Sequence, residues 1–279
     1  HVSALMSGVM IKLGIYGLLR SVVWLGPAPA SWGIILITLG LLSALMGILH
    51  ALYQTDIKKR LAYSSIENIG ILGTGLGLGL LGQSFGNSCV AWLGYAGCLV
   101  HILNHGLLKG LLFAGAGSIL HSSDSRDMNE LGALLRRMPV TGTTFLTGAL
   151  GICALPPLNG FVGEWLIYLG AFYGTVQLPS SGAVVALIAI AVLALAGGLA
   201  LTCFSGLFGL TFLGLPRHGH QEASQGLGHT VGQTHETYGP MQVAMIAGAV
   251  LCLGLGIWPA TAVVLADPLL RWPSDLPMG

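Results

Sequence analysis

The stretch that decides the fold runs from residue 88 to residue 120 and reads SCVAWLGYAGCLVHILNHGLLKGLLFAGAGSIL. His101, His105 and Lys109 are its only basic residues, and it contains no acidic residue. A transmembrane helix needs about 20 predominantly apolar residues, so this stretch is long enough to cross a bilayer. We therefore predict a membrane-spanning helix that carries three basic side chains.

The composition of the whole chain also predicts a membrane protein. Of 279 residues, 54% are hydrophobic and 8% are charged, and the mean hydropathy is +0.81, whereas soluble domains are about 25% charged. The 43 glycines agree with this interpretation, because small residues let helices approach closely in lipid. The net charge of +1 creates no field that would recruit nucleic acid. We expect an all-α integral membrane protein with no nucleic-acid partner.

Seven apolar segments are long enough to span the bilayer, which predicts about seven transmembrane helices. Their bounds are 2–24, 33–53, 61–82, 88–120, 140–172, 183–213 and 241–264. Basic residues concentrate in alternate connections, which under the positive-inside rule face the cytoplasm. These residues are Lys58, Lys59, Arg60, Arg126, Arg136, Arg137 and Arg217. Those at the span ends, Arg60 among them, are interpreted as interfacial anchors.

Two segments, 88–120 and 140–172, would each form a helix about 50 Å long, against a hydrocarbon core of about 30 Å. They must tilt, protrude or break. The second contains Pro156-Pro157, and each proline removes a backbone donor and clashes with the preceding turn. We predict a discontinuous helix broken at this pair. Such breaks often mark transport sites in membranes, and a kink that serves packing alone is the alternative.

Six ionisable side chains lie inside the apolar segments, namely Lys12, Glu67, His101, His105, Lys109 and Glu164. A charge at the bilayer centre costs at least about 2.5–3.5 kcal/mol, so each should face the bundle interior. The three on residues 101–109 recur every fourth position, which places them on one helix face and predicts a ladder for protons. For each residue alone, a structural ion pair or a snorkelling side chain is the alternative, with Lys109 the first candidate for snorkelling.

Cysteine and histidine patterns do not predict a metal or cofactor site. The five cysteines stand singly in apolar runs without a CxxC pair, which favours buried packing. No haem or iron–sulfur ligand pattern appears, so we expect no redox cofactor. The polar, glycine-rich segment 216–240 carries four histidines, for which metal binding and a solvated loop both remain open, the loop being favoured. They are His218, His220, His229 and His235.

Six ordered motifs resemble the proton-translocating antiporter-like membrane subunits of respiratory complex I, Mrp antiporters and group 4 nickel–iron hydrogenases. They read HVSALMSGVMIKLGIYGLLR, TDIKKRLAYSSIENIGI, HILNHGLLKGLLFAGAGSIL, RDMNELGALLRRMP, ALPPLNGFVGEW and FGLTFLGLPR, and they lie within residues 1–217. The segments SSIENIG and LNHGLLKGLLFAGAGS look most like the hydrogenase-4 and formate hydrogenlyase branch. Complex I relatives usually have His where this chain has Glu67.

The resemblance implies a fold of two five-helix inverted repeats with a central row of charged residues. In this pattern, residues 1–32 are a connecting transmembrane helix and loop, and residues 33–215 are the second repeat. Residues 216–240 are a cytoplasmic polar loop, and residues 241–279 are a C-terminal transmembrane helix and tail. Because the first residue is His and the family's input-side helices are absent, we expect an N-terminally truncated fragment.

The resemblance also implies roles for individual residues. By the resemblance, Lys12 is the central connecting lysine of the proton path, and Glu164 is the ionisable residue of the broken helix. The helix with the pattern H-x3-H-x3-K holds His101, His105 and Lys109. Glu67 joins the path as a buried carboxyl group, and the role of Lys58 in TDIKKR stays open.

The function implied is that of a proton-translocating membrane subunit in a prokaryotic inner membrane. It has no catalytic centre, metal or cofactor of its own, and serves a hydrogenase or formate hydrogenlyase complex. The expected partners are other membrane subunits, a soluble hydrogenase arm and the lipid bilayer. Two alternatives remain, a non-conducting membrane anchor of the hydrogenase arm and an Mrp-type cation/proton antiporter subunit.

Overall fold

A computed structural model describes residues 2–26, 28–215, 235–237, 239–261 and 263–264. Within these ranges the secondary structure is helical, apart from an isolated β-bridge between Asp56 and Asp127. The all-α prediction is therefore confirmed. Of the histidines in the predicted polar loop, His218, His220 and His229 lie outside the described residues, whereas His235 lies inside them.

The described chain forms ten α-helices and one π-helical turn. The first span consists of α1 (Val2–Leu5), the π-helical turn (Met6–Met10) and α2 (Ile11–Leu25). The helices that follow it are α3 (Ala30–Leu52), α4 (Ile57–Ser84), α5 (Ser88–Ser123), α6 (Leu134–Arg137), α7 (Pro139–Ile152), α8 (Asn159–Gln177), α9 (Ser180–Phe212) and α10 (Gly239–Ile257). In this part of the chain, six continuous helical segments are long and apolar enough to cross a membrane. The remaining predicted span is divided between α7 and α8.

The predicted interruption is confirmed at the double proline. Helix α7 ends at Ile152 and α8 begins at Asn159, and residues 153–158 between them form turns. Both prolines lie in this linker, where neither has to donate a helical hydrogen bond. The other long segment does not break, because α5 runs without interruption for 36 residues.

Helices α3 and α4 pack backbone against backbone through glycines. Gly33, Gly40 and Gly47 recur every seventh residue along α3 and face α4. A Cβ atom added to Gly40 would lie 2.7 Å from the carbonyl oxygen of Gly70, so a larger residue cannot fit there without moving a helix. Close approach of this kind is the usual basis of helix association in lipid.

Polar caps fix where the two central helices begin. The Asp56 carboxylate accepts hydrogen bonds from the backbone N–H groups of Lys58 (2.8 Å) and Lys59 (3.1 Å) at the start of α4. The Asn87 side chain accepts from the N–H of Val90 (3.0 Å) at the start of α5. Both residue types satisfy donors that a helix N-terminus leaves unpaired.

Arg60 differs from the sequence interpretation, which placed it among the interfacial anchors. Its side chain is only 7% exposed. The guanidinium donates to three backbone carbonyls, those of Leu52 (3.0 Å), Gln54 (3.0 Å) and Cys203 (3.1 Å). Arg60 therefore joins the end of α3 and the middle of α9 to the start of α4, inside the protein.

A carboxylate also holds the start of α7. Glu236 accepts hydrogen bonds from the N–H groups of Val140 (2.9 Å) and Thr141 (3.1 Å). Beside it, the Ser118 hydroxyl of α5 bonds to the hydroxyls of Thr141 (3.0 Å) and Thr237 (2.9 Å). Residues 235–237 are thus fastened to the ends of two helices of the bundle.

Candidate functional site

Three of the six ionisable residues predicted from the sequence lie on α5, and the other three lie on α2, α4 and α8. The exposed fraction is 4% for Lys12, 2% for Glu67, 1% for His101 and 0% for both His105 and Lys109. Glu164 is partly exposed. The prediction that these side chains face the bundle interior agrees with the burial of the first five, whereas Glu164 is less buried.

Lys109 does not snorkel to the membrane surface. Its ammonium group donates to the Leu61 carbonyl oxygen (2.9 Å) and to the Ser64 hydroxyl (2.5 Å), both on α4. The ammonium nitrogen also lies 5.9 Å from the centre of the Phe204 ring of α9, within cation–π range. The interpretation as a snorkelling residue is therefore wrong, and the side chain points into the protein.

His101 and His105 form a stacked pair on α5. Their ring centres are 5.8 Å apart and the ring planes differ by 4°. His101 Nε2 shares a hydrogen bond of 3.0 Å with Asn68 Oδ1 of α4. Among the described residues, His101 Nδ1 and both ring nitrogens of His105 have no hydrogen-bond partner. Such nitrogens are available to take up and release protons.

Lys12 follows directly after the π-helical turn. Its ammonium group donates to the carbonyl oxygen of Ser7, which lies within that turn. The Ser7 hydroxyl in turn lies 2.6 Å from the hydroxyl of Ser65 on α4. Because π-helical turns often occur at functional positions, the distortion of the first span next to its one lysine supports a role for Lys12.

Glu67 is the residue of α4 on which charges of both α5 and α8 act. Its Oε2 atom has no hydrogen-bond partner in the described part of the chain. The charges of Lys109 and Glu164 both lie close enough to act on its carboxyl group. Lys109 in turn interacts electrostatically with Lys12 as well as with Glu67. A buried carboxyl group without a fixed partner is well suited to exchange a proton with its neighbours.

Glu164 lies one turn into α8, just after the break. It lines a cavity of about 640 Å³ that reaches from the break, at Cys153, to Gly197 of α9. Because its charge also acts on Glu67, this carboxyl group stands between the buried row and the cavity. The broken helix thus brings its ionisable residue to the end of the row.

Lys58 lies apart from this row, at the start of α4. It is partly exposed and lines two cavities of about 580 Å³ and about 550 Å³. The smaller one is also lined by Ser7 and Ser65, so Lys58 and the Lys12 region border the same space. Its role stays a prediction.

A pair of asparagines was missed by the sequence analysis. The Asn104 side chain of α5 donates to the Asn159 carbonyl oxygen (2.8 Å), and the Asn159 side chain donates to Asn104 Oδ1 (3.3 Å). The pair joins the helix of the histidines to the first residue after the break. An asparagine inside an apolar span is a detectable signal, but its partner 55 positions away is not.

Comparison with known proteins agrees with this arrangement. Residues 1–188 match the family model described as NADH:quinone oxidoreductase/Mrp antiporter, transmembrane. The chain is 42% identical over 260 residues to hydrogenase-4 component B of Escherichia coli, which covers 91% of this chain and 37% of that protein. It is 39% identical over 283 residues to formate hydrogenlyase subunit 3 of the same organism, covering 98% of this chain and 44% of that protein. The chain therefore spans less than half the length of these two relatives.

Solved structures show the same fold. A chain of the Mrp complex from Dietzia sp. superposes with a TM-score of 0.76 at 20% identity, over 98% of this chain and 52% of that one. A chain of an archaeal membrane-bound sulfane sulfur reductase superposes with a TM-score of 0.71 at 25% identity, over 91% of this chain and 38% of that one. Both are chains of complexes, and in each the likeness covers about half of that chain or less.

Proposed function

The chain belongs to the NADH:quinone oxidoreductase/Mrp antiporter transmembrane family, and from this we propose that it conducts protons within a hydrogenase or formate hydrogenlyase complex. It is a multi-pass membrane protein, and its relatives are subunits of multisubunit membrane complexes. We further propose that it lies in a prokaryotic inner membrane and works with a soluble hydrogenase arm. Residues 33–215, which hold most of α3 and all of α4 to α9, would be the second five-helix repeat.

One observation carries the proposal, namely that five of the six ionisable groups are at most 4% exposed within one helix bundle and lie close enough to act on one another electrostatically. Lys12 acts on both histidines, and Lys109 acts on His105. Lys109 also acts on Glu67, and so does Glu164. A change of protonation at one group therefore alters the charge that the next group experiences. The row crosses from the first span through α5 and α4 to α8.

The geometry allows a proton to advance by small movements. Each histidine can accept a proton at one ring nitrogen and release one at the other, and the centres of the two rings are 5.8 Å apart. Lys109 is held by a carbonyl and a hydroxyl rather than by a carboxylate, so its ammonium group can turn towards Glu67 without breaking an ion pair. Glu67 and Glu164 would then pass the proton towards the cavity.

Proton flux in proteoliposomes tests this proposal. The full-length subunit in its complex should lose most of its proton translocation when Glu164 is changed to Gln, while assembly and redox turnover remain. The matched control is Glu130→Gln, the same chemical change at an exposed residue outside the row. Normal flux per assembled complex in Glu164→Gln would contradict the proposal and favour a non-conducting anchor.

An Mrp-type antiporter component is the second candidate. The observation in its favour is 33% identity over 163 residues to a Na(+)/H(+) antiporter subunit of Bacillus subtilis, covering 58% of this chain and 20% of that protein. In the same proteoliposomes, proton flux that requires external Na⁺ and stops when choline replaces it would support this candidate. Flux that depends on redox turnover alone would support the first.

A further inference from the structure

One face of α8 lines the cavity beside Glu164. Phe161, Glu164, Trp165 and Tyr168 are spaced at i, i+3, i+4 and i+7, which places them on the same side of the helix, and all four line this cavity. A different face of α8 packs on α5, where a Cβ atom added to Gly163 would lie 2.6 Å from that of His101. The carboxyl group of Glu164 therefore faces a space between α8 and α9 rather than the interface with α5.

The cavity has the size and chemistry of a small-molecule site. Its volume of about 640 Å³ falls within the range of about 300–1,000 Å³ that is usual for ligand pockets. Glu164 is the one charged side chain among the described residues that line it, and the other lining residues are mostly aliphatic or aromatic. The rings of Phe161 and Trp165 stack with centres 5.5 Å apart, so they form a continuous aromatic wall next to the carboxyl group.

We propose that this cavity binds an amphiphilic organic monocation, an ammonium or guanidinium group joined to a hydrophobic body. The cation would lie at the Glu164 carboxylate and over the aromatic wall, because aromatic faces attract cations and tryptophan does so most strongly. The hydrophobic body would fill the apolar remainder of the cavity. Trp165 and Phe172, which line the cavity, are both exposed on the surface of the described residues, so the cavity opens to the outside of this part of the chain.

The single negative charge in the described lining of the cavity favours this ligand over a membrane lipid. A zwitterionic phospholipid headgroup would bring a phosphate into a space that no described basic residue lines. A neutral acyl chain would offer the Glu164 carboxyl group neither a counter-charge nor a hydrogen-bond partner. A monocation with an apolar body satisfies both parts of the cavity.

Occupancy of the site would cover Glu164. If the proposed proton path is correct, the ligand blocks its last step. The binding itself does not depend on proton conduction, so binding and flux can be measured separately.

Two adjacent glycines of α9 provide a matched pair of variants. Gly197 lines the cavity, and a Cβ atom added to it would meet no other atom within 4 Å. Gly198 is the next residue, is exposed, and is equally unobstructed. Gly197→Leu therefore fills the cavity, while Gly198→Leu adds the same side chain outside it.

The test is equilibrium binding of radiolabelled 4-phenylbutyl-trimethylammonium to the whole complex in lipid nanodiscs, with protein-free nanodiscs as background. We expect saturable binding to the wild type and to Gly198→Leu, weakened about tenfold or more in Gly197→Leu and in Glu164→Gln, the loss of about 1.4 kcal/mol or more. The neutral isostere, with carbon in place of nitrogen, should bind weakly to all four.

Equal binding to the two leucine variants would overturn the proposal, and so would binding of the neutral isostere as tight as that of the cation. Binding no greater than in protein-free nanodiscs would also overturn it. Saturable, Glu164-dependent binding together with normal proton flux in Glu164→Gln would support the site and refute the proposed proton path, so the two failures are distinguishable.

Discussion

The imidazole rings of His101 and His105 lie parallel on α5, with 5.8 Å between their centres and 4° between their planes. Of the two rings, His101 is the one that is hydrogen-bonded to another helix, through Asn68 of α4. His105 has ring nitrogens without a partner among the described residues, and the charges of Lys12 and Lys109 both act on it. The two rings therefore form one stacked unit under the influence of two cations.

We predict that the histidines act together in proton transfer. Replacing one with Ala should slow proton flux in part, because water can occupy the space beside the remaining ring. Replacing both should reduce flux by much more than the product of the two single effects, since more than two helical turns then lack a titratable group. Flux is measured per assembled complex. A strictly multiplicative loss, or normal flux in the double variant, would rule out the ladder.

Lys12 should be needed for translocation but not for assembly. Lys12→Ala removes the charge that acts on both histidines and leaves the exposed surface of the subunit unchanged. We expect proton flux to fall about tenfold or more while the amount of assembled complex stays close to that of the wild type. Lys59→Ala, at an exposed position, is the control. Equal flux in the two variants would remove Lys12 from the path.

The orientation of the bundle can be tested in a single protein. Cys89 is exposed at the start of α5, next to a connection without basic residues, which we predict to face outside. Asn129 is exposed in the basic connection, which we predict to face the cytoplasm. In Asn129→Cys, a membrane-impermeant thiol reagent should label Cys89 from outside and the new cysteine from inside only. Labelling of both from one side would refute this topology.

Arg60 should contribute to stability more than a surface arginine does. Arg60→Met leaves three backbone carbonyls without their charged donor, and we expect a loss of about 2–4 kcal/mol in the free energy of unfolding. Arg60→Lys should recover only part of it, because one ammonium group cannot reproduce the fork of the guanidinium. Thermal unfolding of the detergent-solubilised complex measures the effect, with Lys59→Met as control. An equal midpoint for Arg60→Met and the control would contradict the clamp.

The sequence predicted those features whose signal is local. The proline pair marks the break, and the four-residue spacing of His101, His105 and Lys109 places them on one face. The partners of these residues were not predictable in the same way. Arg60 binds a carbonyl 143 positions away, so its position at a span end was misleading. Asn104 and Asn159 are each ordinary within their segments, and their significance arises only when α8 packs against α5.

The glycine contact between α3 and α4 affects the strength of electrostatic interactions at Glu67. At Gly47 the absence of a side chain brings the backbone of α3 against the backbone nitrogen of Glu67. This contact leaves no space for water between Gly47 and Glu67, so α3 shields the backbone side of Glu67 from solvent. Coulomb interactions strengthen as the local dielectric constant falls, so keeping water away from Glu67 strengthens the influence of its neighbours' charges on it. A side chain at position 47 would push α3 away from α4 and admit water. It would thereby weaken that influence without altering a single titratable residue.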